Sequence, residues 1–291
     1  VKEIYDACNE LKKDPKYDII NQFDEFYNYG IHRAVTGPSF EKSFQAVKGN
    51  TNLQAKFYVS ASGSSGTLAA GDYLKEHLNT KIAVVEATEC PTLLNNGYGE
   101  HNIQGIGDKH VPLIHNVMNS DFVVGVSDQT TNNLNLIFNT KVGQSYLTDK
   151  KGFDGDFVKL LPEFGFSSIA NIVASIKLAK YMNLGKDDAI ITVATDGADL
   201  YLSELNKSKE DFEGIFDETS CAEIFGQYMK AISLDNMIEL NQREKERIFN
   251  LGYYTWVEQQ GVDIKDFEKR KKQDFWNDQY KFMLSLDKKI D

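Results

Sequence analysis

A run of small residues at 63–67, Gly-Ser-Ser-Gly-Thr, has the composition of a loop that binds phosphate. An apolar segment at 55–60 precedes it, and a segment at 68–78 with apolar residues at helical spacing follows it. Small residues allow several backbone N–H groups to face one point, where the start of a helix adds the positive end of its dipole and hydroxyl groups add further donors. This combination suits a phosphate monoester carried by a cofactor or a substrate, although an ordinary turn has the same composition.

The elements that would position this loop alternate between strands and helices. Apolar runs predict buried strands at 55–60, 81–87, 122–126 and 189–194. Helical patterning predicts helices at 1–14, 40–47, 68–78, 130–139 and 166–182. This alternation predicts an α/β fold with a parallel sheet flanked by helices. Ligands bind at the carboxyl ends of such strands, and the segment 195–197, Thr-Asp-Gly, is predicted to reach that edge together with the loop at 63–67.

A break in the chain is predicted before the helix at 40–47. Gly37 and Pro38 interrupt the helical pattern there, and Ser39 is placed to cap the helix that follows. We therefore expect a loop at these residues.

A long loop and a charged C-terminal part complete the organisation. The segment 88–115 is predicted to be a loop, and loops of that length inside a domain are usually functional. The chain is predicted to divide into a catalytic region at 1–205 and a helical extension at 206–291. Charged residues dominate the extension, and no further buried strand is predicted there. Aromatic residues of the extension, among them Trp256 and Trp276, predict packing of the extension on the sheet domain or, alternatively, a subunit contact.

The composition limits the partners and the compartment. In a chain of 291 residues, a net charge of −11 argues against a nucleic-acid backbone or an anionic membrane as the main partner, but not against a small anionic ligand at a local positive site. The three cysteines lie far apart without paired spacing, which is typical of reduced thiols in the cytoplasm. No apolar run approaches the roughly 18 residues of a membrane span, and the N-terminus has no secretory pattern, so a cytoplasmic location is predicted.

Several segments together match one protein family in their order and spacing. The matching residues are Gln22-Phe23, Asn28, His32, Thr36-Gly37-Pro38, 63–67, 84–86, Pro91, 101–107, 126–128, 165–168 and 201–203. Through these motifs the chain resembles the fold-type-II pyridoxal-phosphate enzymes, the group of cysteine synthase and tryptophan synthase β. The resemblance implies a fold of the tryptophan synthase β type, pyridoxal 5′-phosphate as cofactor and an amino acid as substrate.

The resemblance assigns the cofactor to two parts of the chain. The phosphate group would be held by the loop residues Gly63, Ser64, Ser65, Gly66 and Thr67. Thr195 takes the place of a Ser or Thr that hydrogen-bonds the pyridine nitrogen in the family, and Asp196 beside it is the alternative partner. A hydroxyl leaves that nitrogen largely unprotonated, which suits β-elimination and β-replacement, whereas a carboxylate would protonate it and strengthen the electron sink.

The resemblance also assigns the substrate contacts. Gln22 matches a glutamine that contacts the substrate carboxylate in the family. Gly105, Ile106 and Gly107 match a loop at the border of the active site.

Two features depart from the family pattern. Ile169 replaces a glycine, so the packing of its helix is expected to differ. The lysine that forms the Schiff base with the cofactor has no counterpart, because the Ser-x-Lys-Asp/Asn-Arg motif that precedes the phosphate loop in the family is absent, and Lys12 and Lys13 have the surroundings of solvated surface residues. No catalytic residue is assigned, and the sequence is expected to be the C-terminal portion of a longer enzyme, inactive when alone.

Within the family, the segments 63–67, 195–199 and 253–261 are most similar to the β subunit of 2-amino-4-oxopentanoate thiolase. That resemblance implies cleavage of 2-amino-4-oxopentanoate by coenzyme A to acetyl-CoA and alanine in ornithine breakdown, with a small α subunit and a homo-oligomeric assembly. The alternative is a cysteine synthase-like enzyme that replaces or eliminates the β-substituent of O-acetylserine, serine or cysteine. A non-catalytic scaffold that kept the fold without the lysine is the alternative of another class.

Other residues with catalytic or metal-binding chemistry are predicted to have structural roles. His101, His110 and His115 lie in the long loop without the paired spacing of metal ligands, so no metal site is expected. Glu86 ends a predicted strand, and Glu163 precedes a predicted helix, where a carboxylate interacts favourably with the helix dipole. Neither carboxylate is assigned a role as a base.

Overall fold

A five-stranded sheet lies at the centre of the structure, a computed structural model that describes residues 2–107, 109–213 and 215–290. The strands are β1 (Gln54–Ala61), β2 (Lys81–Ala87), β3 (Phe122–Val126), β4 (Asp188–Thr192) and β5 (Met237–Glu239). Their order across the sheet is β4-β1-β2-β3-β5. The first four strands are parallel and β5 pairs antiparallel with β3. The predicted parallel sheet is confirmed, and β5 is an addition that the sequence did not predict.

Helices cover the sheet and form most of the C-terminal part. They are α1 (Lys2–Leu11), α2 (Phe26–Ile31), α3 (Gly37–Lys48), α4 (Leu68–Leu78), α5 (Thr92–Asn95), α6 (Asp128–Asn139), α7 (Lys141–Ser145), α8 (Gly155–Val158), α9 (Phe166–Tyr181), α10 (Leu202–Glu210), α11 (Glu218–Phe225), α12 (Gln242–Tyr253), α13 (Ile264–Lys269) and α14 (Gln273–Ile290). Val1 of the predicted first helix and Asp291 of the predicted extension lie outside the described residues. The α/β class with helices on a parallel sheet is therefore confirmed.

The strands are apolar on both faces because both faces of the sheet are covered. Successive residues of a strand point to opposite faces, so Val85 packs into one core cluster with α6 and α9, and Val84 packs into a second cluster with the C-terminal helices. Ile169 is fully buried in the first cluster. The side chain at this position fills space against the sheet, and the expected difference in helix packing from the family stays a prediction.

The segment between α2 and α3 corrects the prediction of a chain break. A π-helical turn, His32–Thr36, joins the two helices without a loop. Pro38 is the second residue of α3 and follows the π-helical turn directly, so the helical segment continues through the proline that was predicted to interrupt it. Ser39 is not a cap, because its Oγ donates to the carbonyl of Val35 at 2.7 Å. Gly37 is required for space, since a Cβ there would lie 2.6 Å from Cβ of Tyr73.

The C-terminal helices pack on the sheet domain through large aromatic side chains, Trp256 against the sheet and Trp276 against α2 and α4. Trp256 and Trp276 are fully buried. Trp256 donates from Nε1 to the carbonyl of Val111 at 2.7 Å and belongs to the cluster that contains Ile82 and Val84 of β2. The predicted packing role of these two tryptophans is confirmed, whereas the division of the chain at residue 205 stays a prediction.

A search of the described helices finds none that is long and apolar enough to cross a membrane.

Candidate active site

The loop between β1 and α4 is held in shape by its own side chains. Oγ of Ser62 and Oγ of Ser65 are 2.9 Å apart, and Oγ of Ser60 lies 2.8 Å from Oγ1 of Thr67. Ser65 has a φ of +69°, a left-handed conformation that is uncommon for residues other than glycine. The hydroxyl of Tyr58 donates to the carbonyl of Thr67 at 2.9 Å. These contacts fix the direction of the loop backbone before any ligand binds.

The backbone of this loop carries donors without acceptors. Within the described part of the chain, the N–H groups of Gly63, Ser64, Ser65 and Thr67 donate to no protein group. They precede α4, an 11-residue helix whose N-terminus has no side-chain cap. Free N–H groups and the positive end of a helix dipole are the physical requirements of a phosphate site. The loop therefore has the properties that its composition predicted.

A second glycine loop lies directly against the first one. The N–H of Gly107 donates to the carbonyl of Ser62 at 2.7 Å. A Cβ on Gly63 would lie only 3.1 Å from the carbonyl oxygen of Gly105. Gly105 and Gly107 have φ angles of +82° and +76°, which a residue with a side chain adopts only with strain. The missing side chain at Gly63 therefore allows the two loops to approach this closely, and the positive φ angles of Gly105 and Gly107 shape the second loop.

Polar groups from α9 and from the segment after β4 form the opposite wall. Oγ of Ser167 lies 3.1 Å from Oγ1 of Thr195. Asn171 donates from Nδ2 to the carbonyl of Val193 at 2.9 Å, and its buried Oδ1 has no partner among the described residues. This wall offers hydroxyl groups and an amide to a ligand but no charged group.

Asp196, the alternative partner for a pyridine nitrogen, is engaged elsewhere. Its carboxylate accepts a hydrogen bond from the hydroxyl of Tyr201. Burial and the neighbouring Asp196 raise the pKa of Tyr201 to about 12. Thr195 lines the cavity described below, and Asp196 is not among its lining residues.

The loops and this wall enclose a cavity of about 340 Å³, within the size range of small-molecule sites. All the site residues predicted from the sequence line it: Gln22, Gly63, Ser64, Ser65, Gly66, Thr67, Gly105, Ile106, Gly107 and Thr195. The carboxyl ends of β1 and β4 open into this cavity, as expected for a parallel sheet. The structure thus brings the predicted residues together, while their individual roles stay predictions.

Four polar or aromatic lining residues were not assigned to the site from the sequence: Phe23, His32, Ser167 and Asn171. Three of them lie in matched motifs, but Asn171 does not, and its only signal is its position one helical turn after Ser167. Nδ1 of His32 lies 3.0 Å from Oγ1 of Thr36, and burial lowers the pKa of His32. No lysine lines the cavity in the part of the chain that the structure describes.

The remaining candidates have structural partners. Nε2 of His110 lies 3.1 Å from the hydroxyl of Tyr5, and Nε2 of His115 lies 3.1 Å from Oγ of Ser120. Among the described residues no group of three or more His, Cys, Asp or Glu side chains could hold a metal ion. Glu86 is buried and accepts hydrogen bonds from the N–H groups of Leu93 and Leu94.

Known proteins with similar sequences include cysteine synthases. A cysteine synthase B of Campylobacter jejuni is 30% identical over 206 residues, which cover 70% of this chain and 59% of that protein. A cysteine synthase of Staphylococcus aureus is 29% identical over 198 residues, which cover 67% of this chain and 56% of that protein. No family model matches the chain.

Solved structures agree with these sequence similarities. A cysteine synthase from Entamoeba histolytica is 25% identical with a TM-score of 0.56, and the match covers 78% of this chain and 58% of that protein. A hydrogen sulfide-producing enzyme from Fusobacterium nucleatum is 23% identical with a TM-score of 0.55, and the match covers 81% of this chain and 62% of that protein. The fold is therefore that of the cysteine synthase-like enzymes.

The homologues of this chain are pyridoxal-phosphate enzymes of fold type II, so the predicted cofactor is the cofactor of its relatives. The chain spans less than two thirds of the length of the cysteine synthases that it matches.

Proposed function

We propose that the cavity binds pyridoxal 5′-phosphate in a cysteine synthase-like enzyme that replaces or eliminates the β-substituent of an amino acid. One observation carries the proposal: the backbone N–H groups of four residues that line the cavity, Gly63, Ser64, Ser65 and Thr67, have no acceptor among the described residues and lie at the start of a helix. Such a set of donors matches a phosphate dianion. It concentrates positive potential locally in a protein whose net charge is −11.

The opposite wall suits the pyridine ring of this cofactor. Thr195 and Ser167 offer neutral hydroxyl groups, and the carboxylate of Asp196 is held by Tyr201. A neutral hydroxyl leaves the pyridine nitrogen largely unprotonated, which favours elimination and replacement over reactions that need a stronger electron sink. When bound, pyridoxal phosphate supplies an electron sink for the negative charge that develops at the α-carbon of the amino acid.

Other lining residues suit an amino-acid substrate. Gln22 offers a side-chain amide that can donate to the substrate carboxylate. Burial lowers the pKa of His32, which disfavours its protonated form, and a neutral imidazole ring can offer a hydrogen-bond donor or acceptor to a ligand in the cavity. The loop of Gly105 and Gly107 exposes backbone close to the phosphate loop, where it would limit the size of the substrate.

The narrower sequence prediction, the β subunit of a thiolase that uses coenzyme A, draws no support from the relatives reported above, which are cysteine synthases. No observed contact in the cavity favours coenzyme A or a small α subunit. The cysteine synthase-like reaction, the alternative weighed from the sequence, is therefore our main proposal.

A variant that introduces a negative charge into the phosphate loop tests the cofactor site. Gly63→Asp would place a carboxylate among the free N–H groups and crowd the carbonyl of Gly105. Its affinity for pyridoxal phosphate, measured by isothermal titration calorimetry, is expected to fall at least tenfold, about 1.4 kcal/mol. Gly155→Asp is the matched control, because it adds the same charge at a glycine that has open space around it and does not line the cavity.

The two variants separate a specific site from a general charge effect. Circular dichroism establishes that each variant is folded before titration. Equal losses of affinity in both variants, or unchanged affinity in Gly63→Asp, would contradict the proposed phosphate site.

A further inference from the structure

The side-chain amide of Asn28 connects two sides of the cavity. Asn28 lies on α2, and its Nδ2 donates to the carbonyl of Gln22 at 2.9 Å and to Oγ of Ser64 at 3.0 Å. An amide nitrogen has two hydrogens, so both are used in these bonds. The amide also lies flat against Gly66, where a Cβ would come within 2.3 Å of Oδ1 of Asn28. Asn28 therefore fixes the segment of Gln22 against the phosphate loop.

The hydrogen bond from Asn28 determines whether the hydroxyl of Ser64 donates or accepts a hydrogen bond toward the cavity. Oγ of Ser64 accepts from Nδ2 of Asn28 at 3.0 Å and, over a longer distance of 3.4 Å, from the N–H of Gly66. A hydroxyl has two acceptor lone pairs and one hydrogen. With both lone pairs facing donors, the hydrogen is left to donate, and no described protein group accepts it. Ser64 lines the cavity, so its hydroxyl is a donor available to a ligand there.

We infer that Asn28 is a positioning residue that turns the hydroxyl of Ser64 into an obligate donor to the phosphate group of the ligand. Asn28 itself does not line the cavity, so it acts through Ser64. An obligate donor favours a phosphate dianion over its monoanion, because a protonated phosphate oxygen would present a hydrogen toward the hydrogen of Ser64. The inference rests on the proposed phosphate site and adds a source for its selectivity.

The inference is tested with the full chain and two ligands, pyridoxal phosphate and pyridoxal, which lacks the phosphate. Asn28→Leu removes both donors at similar volume, and Ser64→Ala removes the hydroxyl. We expect each variant to weaken the binding of pyridoxal phosphate about tenfold and to change the binding of pyridoxal by less than twofold, since hydrogen bonds to charged groups are the stronger ones. The variant that combines both changes should lose no more than either one alone, because Asn28 acts through the group that Ser64→Ala deletes.

A second readout separates orientation from a structural effect. The ³¹P resonance of bound pyridoxal phosphate reports the ionisation of its phosphate group as the pH is varied. Donors that stabilise the dianion lower the midpoint of this titration, so Asn28→Leu and Ser64→Ala should raise it by a similar amount. The exposed Asn50→Leu is the control and should leave both the affinity and the midpoint unchanged.

Each outcome has a defined meaning. A further tenfold loss when Asn28→Leu is added to Ser64→Ala, or equal losses for both ligands, would show that Asn28 only holds the fold and would overturn the inference. If Asn28→Leu does not fold by circular dichroism, Asn28→Ser, which needs less space, is put through the same cycle with the same criteria. Failure of the unmodified chain to bind pyridoxal phosphate would refute the proposed function and this inference together, whereas normal affinity in Asn28→Leu would refute the inference alone.

Discussion

Glu86 is a buried carboxylate without a cationic side chain in hydrogen-bond contact among the described residues. Burial raises its pKa from an ordinary 4.5 to about 7, against the opposing effects of the N–H groups of Leu93 and Leu94 and the charge of Arg247. Between those two pH values the folded protein keeps a proton that the unfolded chain has lost. Glu86 therefore makes folding less favourable as the pH rises through this range, and its effect is complete above it.

Replacement of Glu86 by glutamine should remove this pH dependence. From pH 4.5 to pH 7, Glu86 is expected to lower the free energy of unfolding by about 3 kcal/mol, because each unit of pKa shift is worth about 1.4 kcal/mol. Glu86→Gln should be destabilised at pH 5, where one N–H of α5 loses its acceptor, and should lose less stability than the original protein between pH 5 and pH 7.5. Urea unfolding at both pH values measures this difference.

The half-exposed Glu239→Gln is the control for that experiment and should follow the pH dependence of the unmodified protein. Parallel pH dependences for Glu86→Gln and the unmodified protein would show that Glu86 is not the group responsible.

For individual residues, the sequence predicts which ones form the site better than it predicts the contacts that they make. The predicted residues line one cavity because a loop of small residues and the ends of parallel strands are readable from sequence patterns. Asn171 was missed because a single asparagine in an otherwise apolar helix carries no motif. The left-handed backbone of Ser65 and the bond from Asn28 to Ser64 depend on tertiary contacts, which local patterns do not encode.

Among the helices, α14 is attached to the sheet domain mainly through Trp276. Its ring is fully buried, lies 4.9 Å from the ring of Tyr29 and donates from Nε1 to the carbonyl of Arg270. Arg33, which is also buried, donates to the carbonyl of Trp276 and to Oδ1 of Asn277. Phe275 and Met283 of the same helix also contact α2, so Trp276 is the most buried of several apolar side chains through which the helix docks.

Truncation of this side chain should be costly. Trp276→Ala is expected to lower the free energy of unfolding by about 3–5 kcal/mol, as for other buried aromatic residues, and urea unfolding followed by circular dichroism measures it. Phe282→Ala on the same helix is the control, since Phe282 is 53% exposed and should change stability by less than about 0.5 kcal/mol. Similar effects of the two substitutions would mean that α14 does not depend on Trp276.

The elements themselves follow the sequence wherever the hydrophobic pattern is long. The four predicted strands agree with β1 to β4 within two residues at each end, and the predicted helix at 68–78 coincides with α4. Prediction fails at Gly37 and Pro38, because a π-helical turn carries the helix past the proline and the sequence pattern does not reveal such a turn. It also fails for β5, whose three residues are too few to show a period of two.

For the molecule as a whole, the C-terminal helices and the sheet share one core. Residues of β2 and β3 form a cluster with side chains of α12 and α13, so removal of either part would expose apolar surface of the other. Both tryptophans of the chain lie in this C-terminal part, at positions 256 and 276. Tryptophan fluorescence therefore reports on the C-terminal part, and far-UV circular dichroism reports on the whole chain.

This arrangement predicts a single unfolding transition. The two signals should follow the same urea curve with the same midpoint, because the shared core couples the two parts. Trp256→Phe, which leaves only Trp276 as a probe, should give the same coincidence at a lower midpoint. Fluorescence that changes at a lower urea concentration than circular dichroism would instead mean that residues 206–291 unfold as an independent domain.

The contact between Asn28 and Gly66 also limits which substitutions these two positions tolerate. Any side chain at position 66 would collide with the amide of Asn28, since a Cβ there comes within 2.3 Å of Oδ1. A smaller residue at position 28 would relieve the collision but would release the hydroxyl of Ser64 and the carbonyl of Gln22 at the same time. A side chain at position 66 therefore requires a change at position 28, and that change removes the hydrogen bonds from Asn28 to Gln22 and Ser64.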